Sequence, residues 1–178
     1  MARFEKISKY AAADLPLPER KTKGSAGYDM AVAEDTIVPP YHLHMANLKA
    51  AIDDCSDVMD ITRLATYTKY TEAKPTLVPT GMKCYLDPDT YLALTIRSSS
   101  PLKYWLMLAN SEGIIDADYV DNPDNEGHIY FQVVNMSPVP LLLRKGDIIG
   151  QAIIHPYLIT ENDAADGERT GGFGSTTA

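Results

Sequence analysis

The sequence predicts an all-β protein, and three observations carry that expectation. Short runs with β character recur along the chain. Turn-forming residues separate them, with 12 prolines and 11 glycines in 178 residues, enough to punctuate nearly every gap. Only one stretch breaks the pattern with a helical period. Many short strands spaced by turn signals fit a sandwich or barrel.

The clearest strands are Tyr91–Ile96, His128–Val134 and Ile148–Ile154, and shorter ones are expected at Leu77–Val78, Met82–Leu86, Leu106–Leu108 and Pro140–Leu143. The exception runs from Tyr41 to about Lys74, without proline or glycine. Within it Leu48, Ala51, Ile52, Cys55, Val58 and Met59 recur at three- and four-residue spacing, which predicts a short amphipathic helix packed on the β body. Thr66–Thr71 alternates weakly in a strand-like way.

Composition bounds the function. A chain of this length supports one domain with a core. The net charge of -8 argues against general nucleic-acid binding, which needs a basic surface. It leaves room for a small phosphorylated ligand held by local cations, backbone amides and a metal ion. No apolar run is long enough to span a bilayer, and the N-terminus lacks the apolar core of a secretion signal, so a cytoplasmic location is expected. Cys55 and Cys84 are expected to be unpaired thiols in a reducing compartment. His42 and His44 have no acidic or cysteine ligand at metal spacing and read as packed or solvated side chains. Trp105 reads as core or a subunit contact.

Five segments carry polar residues beyond what strands and turns require. Gly24-Ser-Ala-Gly-Tyr-Asp-Met30 allows close backbone approach and ends near Asp29, although a plain turn would look the same. Arg97-Ser98-Ser99 follows a strand and suits either a phosphate cradle or a Ser-rich turn. In Asn110–Tyr119 an apolar pair places Asp116 at a strand end as a potential general base, with Asn110 able to read amide edges and Tyr119 able to pack on a sugar; a hairpin with ordinary turn aspartates is the alternative. In Arg144–Ile154 a tight Lys-Gly-Asp turn enters a buried strand interrupted by Gln151, which needs a partner unless it faces outward. The last ten residues, Arg169–Ala178, hold glycines, hydroxyls, one arginine and one aromatic, the groups a phosphorylated aromatic ligand requires.

Taken together, Gly-Ser-Ala-Gly-Tyr-Asp, Arg-Ser-Ser, Gly-Ile-Ile-Asp-Ala-Asp-Tyr, Lys-Gly-Asp-x-x-x-Gln and Gly-Gly-Phe-Gly-Ser-Thr resemble, in order, the five motifs of the trimeric dUTPase family. The resemblance runs from about Leu15 to Thr176, with Tyr41–Lys74 as an insertion. It implies a jelly-roll β-barrel or sandwich spanning residues 1–166, with a flexible Gly-rich tail, 167–178, that closes over an active site. It implies a homotrimer with shared sites that hydrolyses dUTP to dUMP and pyrophosphate using Mg2+.

Carried over by position, Asp116 activates the attacking water. Asn110, Ile114 and Ile115 read uracil, and Tyr119 lies against the deoxyribose and excludes a 2′-hydroxyl. Arg97, Ser98 and Ser99 hold phosphates, and Gln151 lies near the α-phosphate. Phe173 caps the base, while Arg169, Ser175 and Thr176 take the terminal phosphates. Tyr130 and Gly174 complete the substrate-binding set, and Asp29 stands in the metal's water shell. Three departures are evident: Ser99 stands where the family has Gly, Arg169 is one residue closer to Gly-Gly-Phe, and Asp121–Glu126 lengthens the turn after Tyr119.

Two other functions share this frame. A dCTP deaminase of the same fold would need a general base at the position of Gln132, an amide that cannot serve. A regulatory binding protein could keep the fold and use the insertion as a candidate surface for a protein partner.

Overall fold

The structure is a computed structural model that describes residues 1–43, 74–169 and 171–172. The helix and the weak strand expected between Tyr41 and Lys74 lie outside the described residues, apart from the segment's ends. So do Cys55, Phe173, Gly174, Ser175 and Thr176.

Eleven strands are seen among the described residues: β1 (Arg3–Lys6), β2 (Tyr28–Ala31), β3 (Thr36–Val38), β4 (Thr76–Pro79), β5 (Met82–Tyr85), β6 (Thr90–Ile96), β7 (Leu106–Leu108), β8 (Gly113–Ile115), β9 (Tyr130–Asn135), β10 (Leu141–Leu143) and β11 (Ile148–Pro156). One six-residue helix, α1 (Ser99–Tyr104), follows β6, and short 3-10 turns occupy Ser8–Tyr10 and Ala117–Tyr119. The expected strands are all present, most with ends shifted by a residue or two. The strand forecast from His128 starts at Tyr130, because the His128 and Ile129 amides bond to Asn125 and Met82 carbonyls instead.

All strand pairs are antiparallel. The order β2-β11-β6-β8 makes a four-stranded sheet and β4-β9-β7 a three-stranded one; β1-β5 and β3-β10 are two-stranded ribbons. This is an all-β, jelly-roll-like architecture. Strand alternation explains the core: Phe131 and Val133 of β9 point inward, while Tyr130 and Gln132 are half-exposed. Met30, Val32, Val38, Val78, Leu92, Leu94, Leu106, Ile129 and Ile149 join Phe131 in one buried cluster. Asn135 is buried among them. Its amide donates to the carbonyls of Val38 and Val139, and its oxygen accepts from the Ser137 amide, so no polar group there is left unmet.

The two main sheets come into close contact at Gly150. A Cβ there would lie 2.2 Å from Cε1 of Phe131 and 2.4 Å from the carbonyl oxygen of Thr95. Of the two readings of Trp105, core or subunit contact, the structure sets aside the core one. Trp105 caps α1 in a left-handed conformation (φ 54°), which turns its indole outward, and it is 63% exposed. Cys84 is a buried free thiol, pushed up to about 12 by burial. No helix among the described residues is long and apolar enough to cross a membrane.

Candidate active site

A cavity of about 250 Å³ opens beside the edge strand β8, lined by Asn110, Gly113, Ile114, Ile115, Asp116 and Tyr119 together with Leu94, Tyr130, Gln132 and Arg169. The sequence sets it up locally. Among the described residues β8 pairs only with β6, Ile114 opposite Ala93 and Ile115 opposite Leu92, and its other side is an edge of the sheet beside the cavity these residues line. Gly113 permits the pairing, since a Cβ there would already press on Leu94 at 3.1 Å. Asp116 then exits the strand in extended backbone and accepts the Tyr119 amide at its carbonyl, which turns the chain back and brings Tyr119 under the cavity.

Tyr119 is buried, with its hydroxyl hydrogen-bonded inside the protein. Asp116 is exposed at the rim. Arg169 reaches it from the C-terminal segment: Nη2 donates to Asp116 Oδ2 at 2.5 Å, and Nε donates to Asp118 Oδ1 at 2.7 Å. The guanidinium also lies 5.9 Å from the Tyr119 ring centre. Partial burial works against the Arg169 charge, but Asp118 and Asp116 outweigh it and hold the pKa above its ordinary value. Gly172 rests on the same ring, where a Cβ would come within 2.8 Å of Tyr119 Cε2. The start of the tail therefore lies over the cavity of its own chain.

The remaining forecast residues gather elsewhere. Gln151 of β11 does have a partner: its Nε2 donates to Asp29 Oδ1 at 3.1 Å, across the β11–β2 register that places the two residues opposite one another. Gly27 lets this pair close up, since a Cβ there would meet the Gln151 side chain at 2.9 Å. Arg97, Ser98 and Ser99 follow β6 into α1, with the Arg97 amide bonded to the Ile149 carbonyl. Arg97 and Ser99 border a second hollow of about 450 Å³, with Lys103, Tyr104, Leu141 and Asp147 among its other walls. None of Asp29, Arg97, Ser98, Ser99 and Gln151 lines the first cavity.

Among the described residues no three His, Cys, Asp or Glu side chains gather at metal-binding distance. A divalent ion at Asp29 would thus meet fewer than three such groups among the described residues, and the Asp29 carboxylate already accepts a bond from Gln151. This donor set fits a Mg2+ ion held by phosphate oxygens and waters better than one caged by protein.

The chain is similar to known proteins in sequence and in fold. The model of the dUTPase family matches residues 59–177. The chain belongs to the dUTPase family. The deoxyuridine 5'-triphosphate nucleotidohydrolase of Lactococcus lactis is 35% identical over 177 residues, covering 98% of this chain and 97% of that one. The crystal structure of a dUTPase from Streptococcus mutans is 34% identical, with a TM-score of 0.68, and covers 89% of this chain and 98% of that one. A variant of the dUTPase from phage phi11 of S. aureus shares the fold at 16% identity and TM-score 0.60, covering 94% and 97%; a structural Mg(II) ion is coordinated in that protein.

Within this dUTPase-family frame the sequence reading left out three residues at the cavity. Gln132 and Leu94 line it, and Asp118 anchors Arg169. Gln132 was detectable in principle, because strand alternation puts it on the same face of β9 as Tyr130.

Proposed function

We propose that this chain hydrolyses dUTP to dUMP and pyrophosphate. The observation that carries the proposal is the cavity itself, which joins an amide-bearing rim, an apolar wall, a buried tyrosine and an exposed carboxylate within one small volume of a dUTPase-family chain. Asn110 and the free edge of β8 offer the complementary donors and acceptors that a uracil ring requires. Tyr119 forms the floor against which a deoxyribose packs, leaving no room for a 2′-hydroxyl. Asp116 accepts a proton from water as its oxygen attacks the α-phosphorus, and pyrophosphate departs with the electrons of the broken P–O bond. Magnesium, when bound to the phosphates, offsets their charge.

Arg97, Ser98, Ser99 and Gln151 are assigned to phosphate, with Asp29 at the metal's water shell. Because they stand apart from the cavity, we infer that a complete site combines the cavity of one copy with the phosphate group of another, in a homotrimer. Phe173, Gly174, Ser175 and Thr176 are assigned to closing over base and phosphates, which excludes bulk water. Residues 1–166 then form the body and 167–178 the closing tail.

The test is pyrophosphate release from dUTP, dTTP, dCTP and UTP with magnesium. Rapid release from dUTP alone supports the reading, and equal rates on all four would overturn it. Ammonia release from dCTP would instead point to a deaminase; Gln132, neutral and lining the cavity, argues against that outcome.

A further inference from the structure

The lengthened turn after Tyr119 is built as a clamp on that residue. Asn122 is buried, and its Nδ2 donates to the Tyr119 carbonyl at 2.8 Å. Asn125 Nδ2 donates to the Tyr119 hydroxyl at 2.9 Å, and that hydroxyl donates to the His128 carbonyl at 3.1 Å. The phenol thus has one donor and one acceptor partner, which fixes its direction as well as its position. The loop holds itself in shape. Asn122 Oδ1 accepts the amides of Asp124 and Asn125, and Asn125 Oδ1 accepts from Asn122 Nδ2 and from the amides of Gly127 and His128.

Both ends of the loop are tied to the body. Lys83 forms an ion pair with Asp121, and Tyr85 donates to Asp121 Oδ2 at 2.7 Å. Ser8 donates to Glu126 from both its amide and its hydroxyl. Asp121 and Glu126 adopt left-handed backbone (φ 57° and 62°), which non-glycine residues enter only when surroundings hold them there. Gly127 closes the loop against Tyr119 and Val120, where a Cβ would lie 2.7 Å from backbone. This is a dense set of constraints for a surface turn, and it presents the Asn125 amide to the hydroxyl of a tyrosine in the cavity.

We infer that Asn125 is a positioning residue for Tyr119 and that this loop sets how strictly the site distinguishes deoxyribose from ribose. The inference rests on the proposed function. A ring fixed at its far end cannot retreat from a 2′-hydroxyl, whereas a ring tethered only at its backbone can tilt and admit one.

The experiment uses the full chain with Asn125→Ser, Asn125→Ala, Tyr119→Phe and the Asn125→Ser/Tyr119→Phe double variant. Serine keeps an acceptor for the turn amides but is too short to reach the phenol. The readout is the ratio of kcat/KM for dUTP over UTP. Asn125→Ser is expected to lower that ratio about tenfold, a part of the roughly hundredfold by which an apolar wall rejects a single added hydroxyl. Tyr119→Phe should lower it at least as much, because it also removes the bond to the His128 carbonyl, and the double variant should fall no further than Tyr119→Phe, since the Asn125 link is already lost there. A loop of purely structural importance would lower the melting temperature and leave the ratio unchanged, which would overturn the inference. An activity-independent arm uses tyrosine labelled with 13C at Cζ, whose shift reports hydrogen bonding at the phenol. The Tyr119 signal should move in Asn125→Ser and Asn125→Ala, and an unmoved signal overturns the tether. If no variant, nor the unaltered chain, hydrolyses dUTP, the functional reading fails, while the labelled tyrosine still decides whether the tether exists.

Discussion

Arg169 donates from Nη2 to Oδ2 of Asp116 at 2.5 Å, so a cation caps the carboxylate assigned to activate water. The guanidinium takes one of the acceptor positions of this carboxylate. A triphosphate offers the guanidinium a richer set of acceptors, and transfer of Arg169 from carboxylate to phosphate would free Asp116 as substrate arrives.

That exchange makes the fork geometry of Arg169 matter. Arg169→Lys keeps the charge but cannot reach Asp116 and Asp118 together from one planar group. Steady-state kinetics on dUTP should show kcat/KM lower by about tenfold. Unchanged kinetics would mean that the pair is incidental to turnover.

Asp116→Asn preserves the shape of the side chain and removes the base. Turnover should fall by at least about a hundredfold while binding of a non-hydrolysable dUTP analogue is largely retained. Near-normal turnover in this variant would remove Asp116 from the chemistry.

Truncation after Asp166 should leave a folded protein that has lost most activity, because the cavity loses Arg169 and the segment resting on Tyr119. Mixing this truncation with Asp116→Asn and allowing subunits to exchange separates two geometries. Recovered activity indicates that a tail serves a neighbour's Asp116. Confirmed exchange without recovery indicates that each tail serves its own chain, the arrangement seen for Arg169 and Gly172.

Stability should fall as pH drops through the window from 6.5 to about 4, through His128. Its Nε2 accepts the Gly81 amide at 2.9 Å, so a proton on that nitrogen breaks the bond. Burial pushes its pKa down to about 4; Lys9 adds to the shift, while Glu34 and Glu126 oppose it, and the rings of Tyr10 and Tyr130 pack against it. Between these values the unfolded chain binds a proton that the folded chain refuses, so acid favours unfolding. Thermal melts from pH 7 to 4 should show the drop, and His128→Gln, which keeps an acceptor for Gly81, should flatten it.

Much of this was legible in the sequence because it depends on local rules. Strand runs ended by proline and glycine located the sheets, and a lone glutamine in an apolar strand signalled a partner, found in Asp29. What escaped depends on contacts between distant segments. Arg169 reads as a phosphate ligand, yet its partners in the folded chain are carboxylates 51 and 53 positions away. Asp121–Glu126 looks like an ordinary polar turn, since nothing in its composition reveals that Asn125 aims at a phenol six residues back. For Trp105, read as core or a subunit contact, the core alternative gives way because its outward direction follows from a left-handed helix cap, which a residue-type argument does not foresee.

Gly150 lines neither hollow, yet it packs on Phe131 and precedes Gln151 in β11. Its missing methyl sets the spacing between the sheets. Phe131, which fills that space, stands between Tyr130 and Gln132, and Gln151 is the next residue along β11. A side chain at 150 would displace the aromatic ring on one side and the amide on the other, misaligning both halves with a single change. In a comprehensive mutational scan this glycine would therefore score like a ligand-contacting residue. A map of the site drawn from functional sensitivity alone would extend into the protein interior, where no nucleotide reaches.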